Sequence, residues 1–292
     1  MAARRRPVAR FVTATRSLMA ATVAAVLLVA ALSACGRSDS TRRESDVGGG
    51  GGGDDGDAIA ATLGFARQPA PYTARPLEAF GRLTGAVEIE GPPPADSVVQ
   101  PTLDQTVCGT SFTLRGIERR GNRAAGVVIW LDGVRSGKPL PLERRFEITN
   151  QRCALVPELQ PAIAGGTLNV RSLDAVLHRT RIARMDGGEV LATIRETDEG
   201  QVVPNERVLA SPGLLELSCD VHAWTHGWIA VFDHPYFAMS AADGSFTIDS
   251  IPPGRYGVHG WHPRLGTIAD SVTIQEGGDA KLVLRAATGG SE

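Results

Sequence analysis

From Arg82 to Glu90 apolar and polar side chains alternate, with Leu83, Val87 and Ile89 on one face, and the run stops at Gly91-Pro92-Pro93-Pro94. A period of two closed by a turn cluster predicts a half-buried β-strand. Gly126 to Asp132 is apolar almost throughout, as in a strand buried on both faces. Between them lies a long stretch containing Cys108, with a weak strand signal at 112–114. Further strands are predicted at 145–149, 166–171 and 175–178, the last ending on His178, and then at 214–219 and 227–232. Beyond Asp233-His-Pro-Tyr-Phe237 the turn signals Asp243-Gly244 and Pro252-Pro253-Gly254 each precede an alternating run, and two more strands follow at 270–274 and 280–284. Residues 36–80 show no such period, and Gly48 to Gly53 is an unbroken glycine run. The pattern is that of an all-β protein behind a flexible Gly/Pro/acidic tether over residues 35–81.

Composition adds an address. The 292 residues include 34 Gly and 18 Pro with few aromatics, in keeping with short strands and turns. Residues 1–34 join five arginines to an apolar stretch from Leu18 to Leu32, too short for a comfortable membrane span and suited to an export signal. It runs into Leu32-Ser33-Ala34-Cys35, which resembles the bacterial lipobox, and the resemblance implies that Cys35 carries a lipid and anchors the protein to a membrane outside the cytoplasm. A Gly-rich coil of the tether's length would span about 35 to 40 Å. Without the signal the chain has 25 Lys+Arg against 32 Asp+Glu, net −7, which disfavours nucleic acid as a partner.

The chemistry concentrates in one loop. Cys219 ends a predicted strand, His222 follows three residues later, and a second strand returns at Gly227. A thiolate and an imidazole this close, with His178 arriving from an upstream strand, form the His2Cys donor set of a blue-copper electron-transfer centre. Thr225 stands where such a loop usually carries a weak axial methionine. With Cys35 lipidated and Cys219 on a metal, Cys108 and Cys153 remain, and an oxidising compartment favours joining them. His226 reads as a solvated loop residue, and His234, His259 and His262 as hydrogen-bonding groups at a domain junction. Trp224, Trp228 and Trp261 suit core packing, metal shielding or a docking face equally. No Gly-x-Ser-x-Gly, His-Glu-x-x-His or phosphate-cradling loop is present, so an electron carrier or binding module is expected rather than an enzyme, with an enzyme's accessory subunit as a third reading.

Two resemblances organise these residues. Residues 153–232 resemble a cupredoxin-type domain, with His178 at the place of the first histidine ligand, Cys219 and His222 in the ligand loop, and Thr225 at the axial position of a short, amicyanin-like loop. Phe237 to Phe246 and Ile251 to Tyr256 resemble the carboxypeptidase regulatory-like, transthyretin-type sandwich. The opening strands that this second pattern requires are absent from the tail, and Gly81 to Val87 and Ala125 to Leu131 fit them. The arrangement expected is a discontinuous sandwich from 82–143 and 233–288 with a cupredoxin-like domain at 144–232 inserted; a linear split at 232 is the alternative.

The whole is similar to bacterial exported proteins described as plastocyanin-like or methylamine-utilisation-like, which carry Cys-Asp-x-His-x-Trp-Met before Asp-His-Pro-Tyr-Phe and a later Trp-His-Glu. This chain departs from that pattern at Thr225, at Arg181 in place of a second histidine, and at Pro263. The resemblance implies a membrane-tethered copper protein for one-electron transfer or copper handling, with a redox partner protein. The other reading is a metal-free β-sandwich module that binds a partner protein or envelope polymer. The sequence leaves the oligomeric state open.

Overall fold

A computed structural model describes residues 71–288. The export segment 1–34, Cys35 and the tether as far as residue 70 lie outside the described residues. Those described are all-β, with one helical segment among them, Gln105–Cys108.

Strands from two distant parts of the chain share the first pair of sheets. Val128–Asp132 lies between Phe237–Met239 and Gly254–His262, with Gly266–Ile274 outermost. In the opposing sheet Gly81–Glu90 pairs antiparallel with Ser245–Ile251 and parallel with Asp279–Ala287. Leu83, Val87, Ile129, Leu131, Val258 and Leu284 meet in the core between them. The alternation at 82–90 is this geometry read along one strand, because successive side chains point to opposite faces.

Residues 145–232 form a second sandwich whose strands pair among themselves. One sheet runs Ala154–Val156, Arg145–Gln151, Thr167–Ser172, Val202–Asn205. The other runs Leu159–Ile163, His226–Phe232, Gly213–Cys219, His178–Arg184, Val190–Glu196. Ile148, Leu168, Val170, Ile182, Leu217 and Val231 fill the space between. A third apolar cluster joins the sandwiches, with Val128, Trp130 and Trp261 from one and Leu159, Leu214, Trp228 and Phe232 from the other. Trp228 and Trp261 meet edge to face at 6.2 Å.

Three local expectations change. Residues 72–74 belong to the folded body, not to the tether: the Tyr72 hydroxyl donates to the Lys138 carbonyl at 2.6 Å, and Thr73–Ala74 pairs with Ser136–Gly137. His178 opens a strand instead of closing one. Asp174 accepts the backbone N–H groups of Arg152 and Cys153 and donates its own N–H to Ser172 Oγ, which holds a bend after Thr167–Ser172 and delays the next strand to His178–Arg184. Leu159–Ile163 and Val202–Asn205 are strands despite Pro161 and Pro204, because both lie at sheet edges where a missing N–H is tolerated.

Candidate metal centre

Cys219 ends its strand at 4% exposure, and the chain turns at once. The Cys219 N–H donates to the Thr225 carbonyl and the Thr225 N–H to the His222 carbonyl, so the loop closes on itself and sets the cysteine and histidine side by side. Asp220 N–H donates to the Arg179 carbonyl, locking the loop to the strand that begins at His178. Thr180 pairs with Cys219 across the same sheet, which brings His178 to the mouth of the loop.

The three side chains converge. Cys219 Sγ lies 3.8 Å from His178 Nδ1 and 3.6 Å from His222 Nδ1, with the imidazole centroids 4.8 Å apart. Both histidines are fully buried. An ion ~2.0 Å from nitrogen and ~2.3 Å from sulfur, in a trigonal arrangement, separates those donors by about 3.7 Å. The residues therefore fit a small, soft, N/S-binding ion such as copper.

Each imidazole is held from behind by a carboxylate. His178 Nε2 lies 3.1 Å from Asp174 Oδ2, and His222 Nε2 lies 3.0 Å from Asp104 Oδ2. Such partners fix ring orientation and leave Nδ1 for the metal. Sequence reasoning missed both. Asp174, four residues before His178, offered a local signal; Asp104, 118 residues from its partner, offered none.

The electrostatics prepare a thiolate. Burial opposes charge on Cys219, but the hydrogen bond from His178 and backbone N–H groups of the loop outweigh it and pull the thiol down to about 6. Burial likewise opposes charge on His178, and its bonds to Asp174 and Cys219 carry it up to about 9. Both shifts favour a thiolate–imidazolium pair, in which the cysteine is in its ligand form. The Asp174 carboxyl is disfavoured by burial yet held below its usual range by His178 and the N–H groups of Cys153 and Arg152. Behind His178, the fully buried Glu196 accepts from Thr180 Oγ1 at 3.0 Å and Asn150 Nδ2 at 3.2 Å, and burial pushes its carboxyl up.

Cys108 and Cys153 are joined in a disulfide whose sulfurs lie within 4.8 Å of a His222 ring nitrogen. The Cys153 carbonyl accepts from the Thr225 hydroxyl at 2.5 Å and from Trp224 Nε1 at 3.2 Å, so the side chain at the axial position is bonded to backbone. Arg181 sits mid-strand, opposite Ser218. His226 is exposed, 3.4 Å from Glu216. His234 and His262 are buried, each accepting a backbone N–H through Nδ1, while His259 stacks on Trp130. None of these four joins the cluster.

The description "polysaccharide lyase family 4, domain II" matches residues 210–282. No curated protein matches the chain. Among solved structures, the chain is similar to a purple cupredoxin from Nitrosopumilus maritimus at 18% identity, covering 30% of this chain and 99% of that one, with a TM-score of 0.25. It is similar to amicyanin from Paracoccus versutus at 14% identity, covering 32% and 85%, with a TM-score of 0.26. For a copper-containing nitrite reductase from Thermus scotoductus the figures are 19% identity, 35% and 24% coverage, and a TM-score of 0.27.

Proposed function

We propose that this chain is an exported, lipid-anchored protein that binds one copper ion through His178, Cys219 and His222, for one-electron transfer or copper handling. The observation that carries the reading is the pair of sulfur–nitrogen separations, 3.6 and 3.8 Å, which match those of a trigonal His2Cys site. Copper held there would supply a one-electron couple.

The chain's own residues supply the rest. The strand pairing of Thr180 with Cys219 fixes the distance between two donors that lie 41 residues apart in sequence. Asp174 and Asp104 hold the imidazoles in one orientation, which lowers the rearrangement needed when the charge of the site changes. Full burial of both histidines keeps bulk water off the donors. These features suit a carrier that changes charge without changing shape. Cys35, with the tether after it, would keep the folded part near a membrane, and the net negative charge would suit a basic partner protein.

The test is to load the purified chain with Cu(II) and record its visible spectrum and metal stoichiometry. The expected result is one copper per chain with an intense thiolate-to-copper band that is lost in Cys219→Ala. If the wild type shows no such band, the metal reading fails. A metal-free β-sandwich module that binds a partner protein or envelope polymer is then the reading that remains.

A further inference from the structure

His222 is fully buried although Asp220 and Ala223 beside it are exposed. Trp224 of its own loop lies 5.2 Å from its ring, and a second covering group, Asp104, comes from outside the sandwich that holds the loop. Between Gly81–Glu90 and Arg119–Arg120 the chain makes an excursion over residues 91–118. Its two strands, Ser97–Val99 and Phe112–Leu114, pair only with each other among the described residues. At its tip Pro101 and Cys108 are buried, while Thr102, Leu103, Asp104, Gln105 and Thr106 are exposed. Two links tie this tip to the metal centre: the Cys108–Cys153 disulfide, and the Asp104 carboxylate 3.0 Å from His222 Nε2. Asp104, its side chain 39% exposed, lies between the outer nitrogen of His222 and solvent.

We propose that residues 97–114 form a cap on the metal centre, that the Cys108–Cys153 disulfide is its clip, and that Asp104 is the residue through which the closed cap positions His222. The inference rests on the His2Cys reading where it concerns metal. It goes further by making exchange at the site depend on a covalent bond outside the ligand set. Pro92, whose carbonyl accepts from the Thr288 hydroxyl, and Ile117, which packs in the first sandwich's core, anchor the two ends. The two-stranded part between them opens locally at a cost well below global unfolding, and a covalent cross-link raises that cost. Both cysteines are buried while the cap is closed, so a dithiol would reach the bond as the flap opens locally: the donor gives two electrons and two protons, the sulfur–sulfur bond breaks to two thiols, and the donor closes to its own disulfide. The cap would then lift, taking Asp104 from His222 and leaving the ligands accessible to another carrier. Exchange with a disulfide donor would close it again: the two thiols give up two electrons and two protons, their sulfur–sulfur bond forms, and the donor's own breaks to two thiols.

The first arm of the test needs no metal. In the metal-free full-length chain, Cys219 alkylation by iodoacetamide is followed by peptide mapping in the wild type and in Cys108→Ser/Cys153→Ser, with circular dichroism to establish that both are folded. At least about tenfold faster modification is expected in the double variant, as for a protected thiol whose covering segment has been released. Equal rates in two folded proteins overturn the cap. If the double variant does not fold, Asp104→Asn, which keeps the disulfide, takes its place. It should modify faster than the wild type by a smaller factor, and no change overturns the proposal.

The second arm follows copper extraction by a chelator from the loaded proteins. Extraction should quicken about tenfold without the clip, and Asp104→Asn should shift the visible and electron paramagnetic spectra, with return towards the wild type in Asp104→Glu. An unshifted spectrum removes the positioning role. Faster alkylation in chains that take up no copper would leave the cap standing while the metal reading falls.

Discussion

Asp174 Oδ2 accepts from two directions at once, lying 2.8 Å from the Cys153 N–H and 3.1 Å from His178 Nε2, in a site only 4% exposed. One carboxylate thus orients a metal-ligand candidate and fixes the residue that carries the disulfide.

Replacing Asp174 should therefore weaken metal binding and stability together. Loss of an outer partner of a ligating histidine typically lowers metal affinity about 10–100-fold. Asp174→Ala also strands two backbone donors and the His178 ring, which together should cost ~3 kcal/mol. Copper competition titration and urea unfolding of Asp174→Asn and Asp174→Ala read the two effects, with alanine worse in both. An alanine variant as stable as the wild type would contradict the assignment.

The metal-free protein should carry a thiolate at neutral pH. Thiolate absorbance, taken as the difference between wild type and Cys219→Ala, should rise with a midpoint near pH 6. His178→Asn removes the main stabilising partner and should move the midpoint towards the usual thiol range. In the wild type His178 should titrate near 9, so that between these values the pair would hold a single proton, on the imidazole. The stability slopes of the two groups then oppose each other. His178, raised when folded, loses its contribution as pH rises from 6.5 through 9; Cys219, lowered when folded, gains over the window from 6 to 9.

Glu196 should make stability fall with rising pH. Its carboxyl is raised by burial, so the folded chain retains a proton that the unfolded chain has released. Its contribution is complete below the unfolded value of 4.5 and is lost as pH rises through the higher folded value. Urea unfolding of Glu196→Gln between pH 4 and 8 should show a curve lacking this downward component. Parallel curves for the two proteins would rule out a buried titrating carboxyl.

Trp261→Ala should loosen the joint between the sandwiches. Trp261 is 4% exposed and packs on Trp228, and truncating a buried aromatic typically costs about 3–5 kcal/mol. Unfolding should split into two transitions, one for each core. A single unshifted transition would show that the aromatic joint contributes little.

The strands that sequence revealed are those whose environment differs on their two faces or is apolar on both. Gly81–Glu90 and Val128–Asp132 announce themselves because burial is written into their side chains. Leu159–Ile163 and Val202–Asn205 do not, since each is an edge strand whose proline is compatible with pairing on one side only. The site divides in the same way. His178, Cys219 and His222 carry chemistry in their identities, and two of them share a loop. Asp104 is an ordinary carboxylate until a distant segment folds over His222, and no local pattern encodes that contact.

The parallel pairing of Gly81–Glu90 with Asp279–Ala287 sets the order of events when the chain is made. Val87 lies beside Leu284, almost two hundred positions later, and both are fully buried. The inserted sandwich has every strand it needs once residue 232 has emerged, while the host must wait for the last strand to close its sheet. Nonlocal parallel pairing is slow, and a strand left waiting offers an open edge. The loop that holds Cys219 and His222 can thus be finished before the sheet around Gly81–Glu90 is closed.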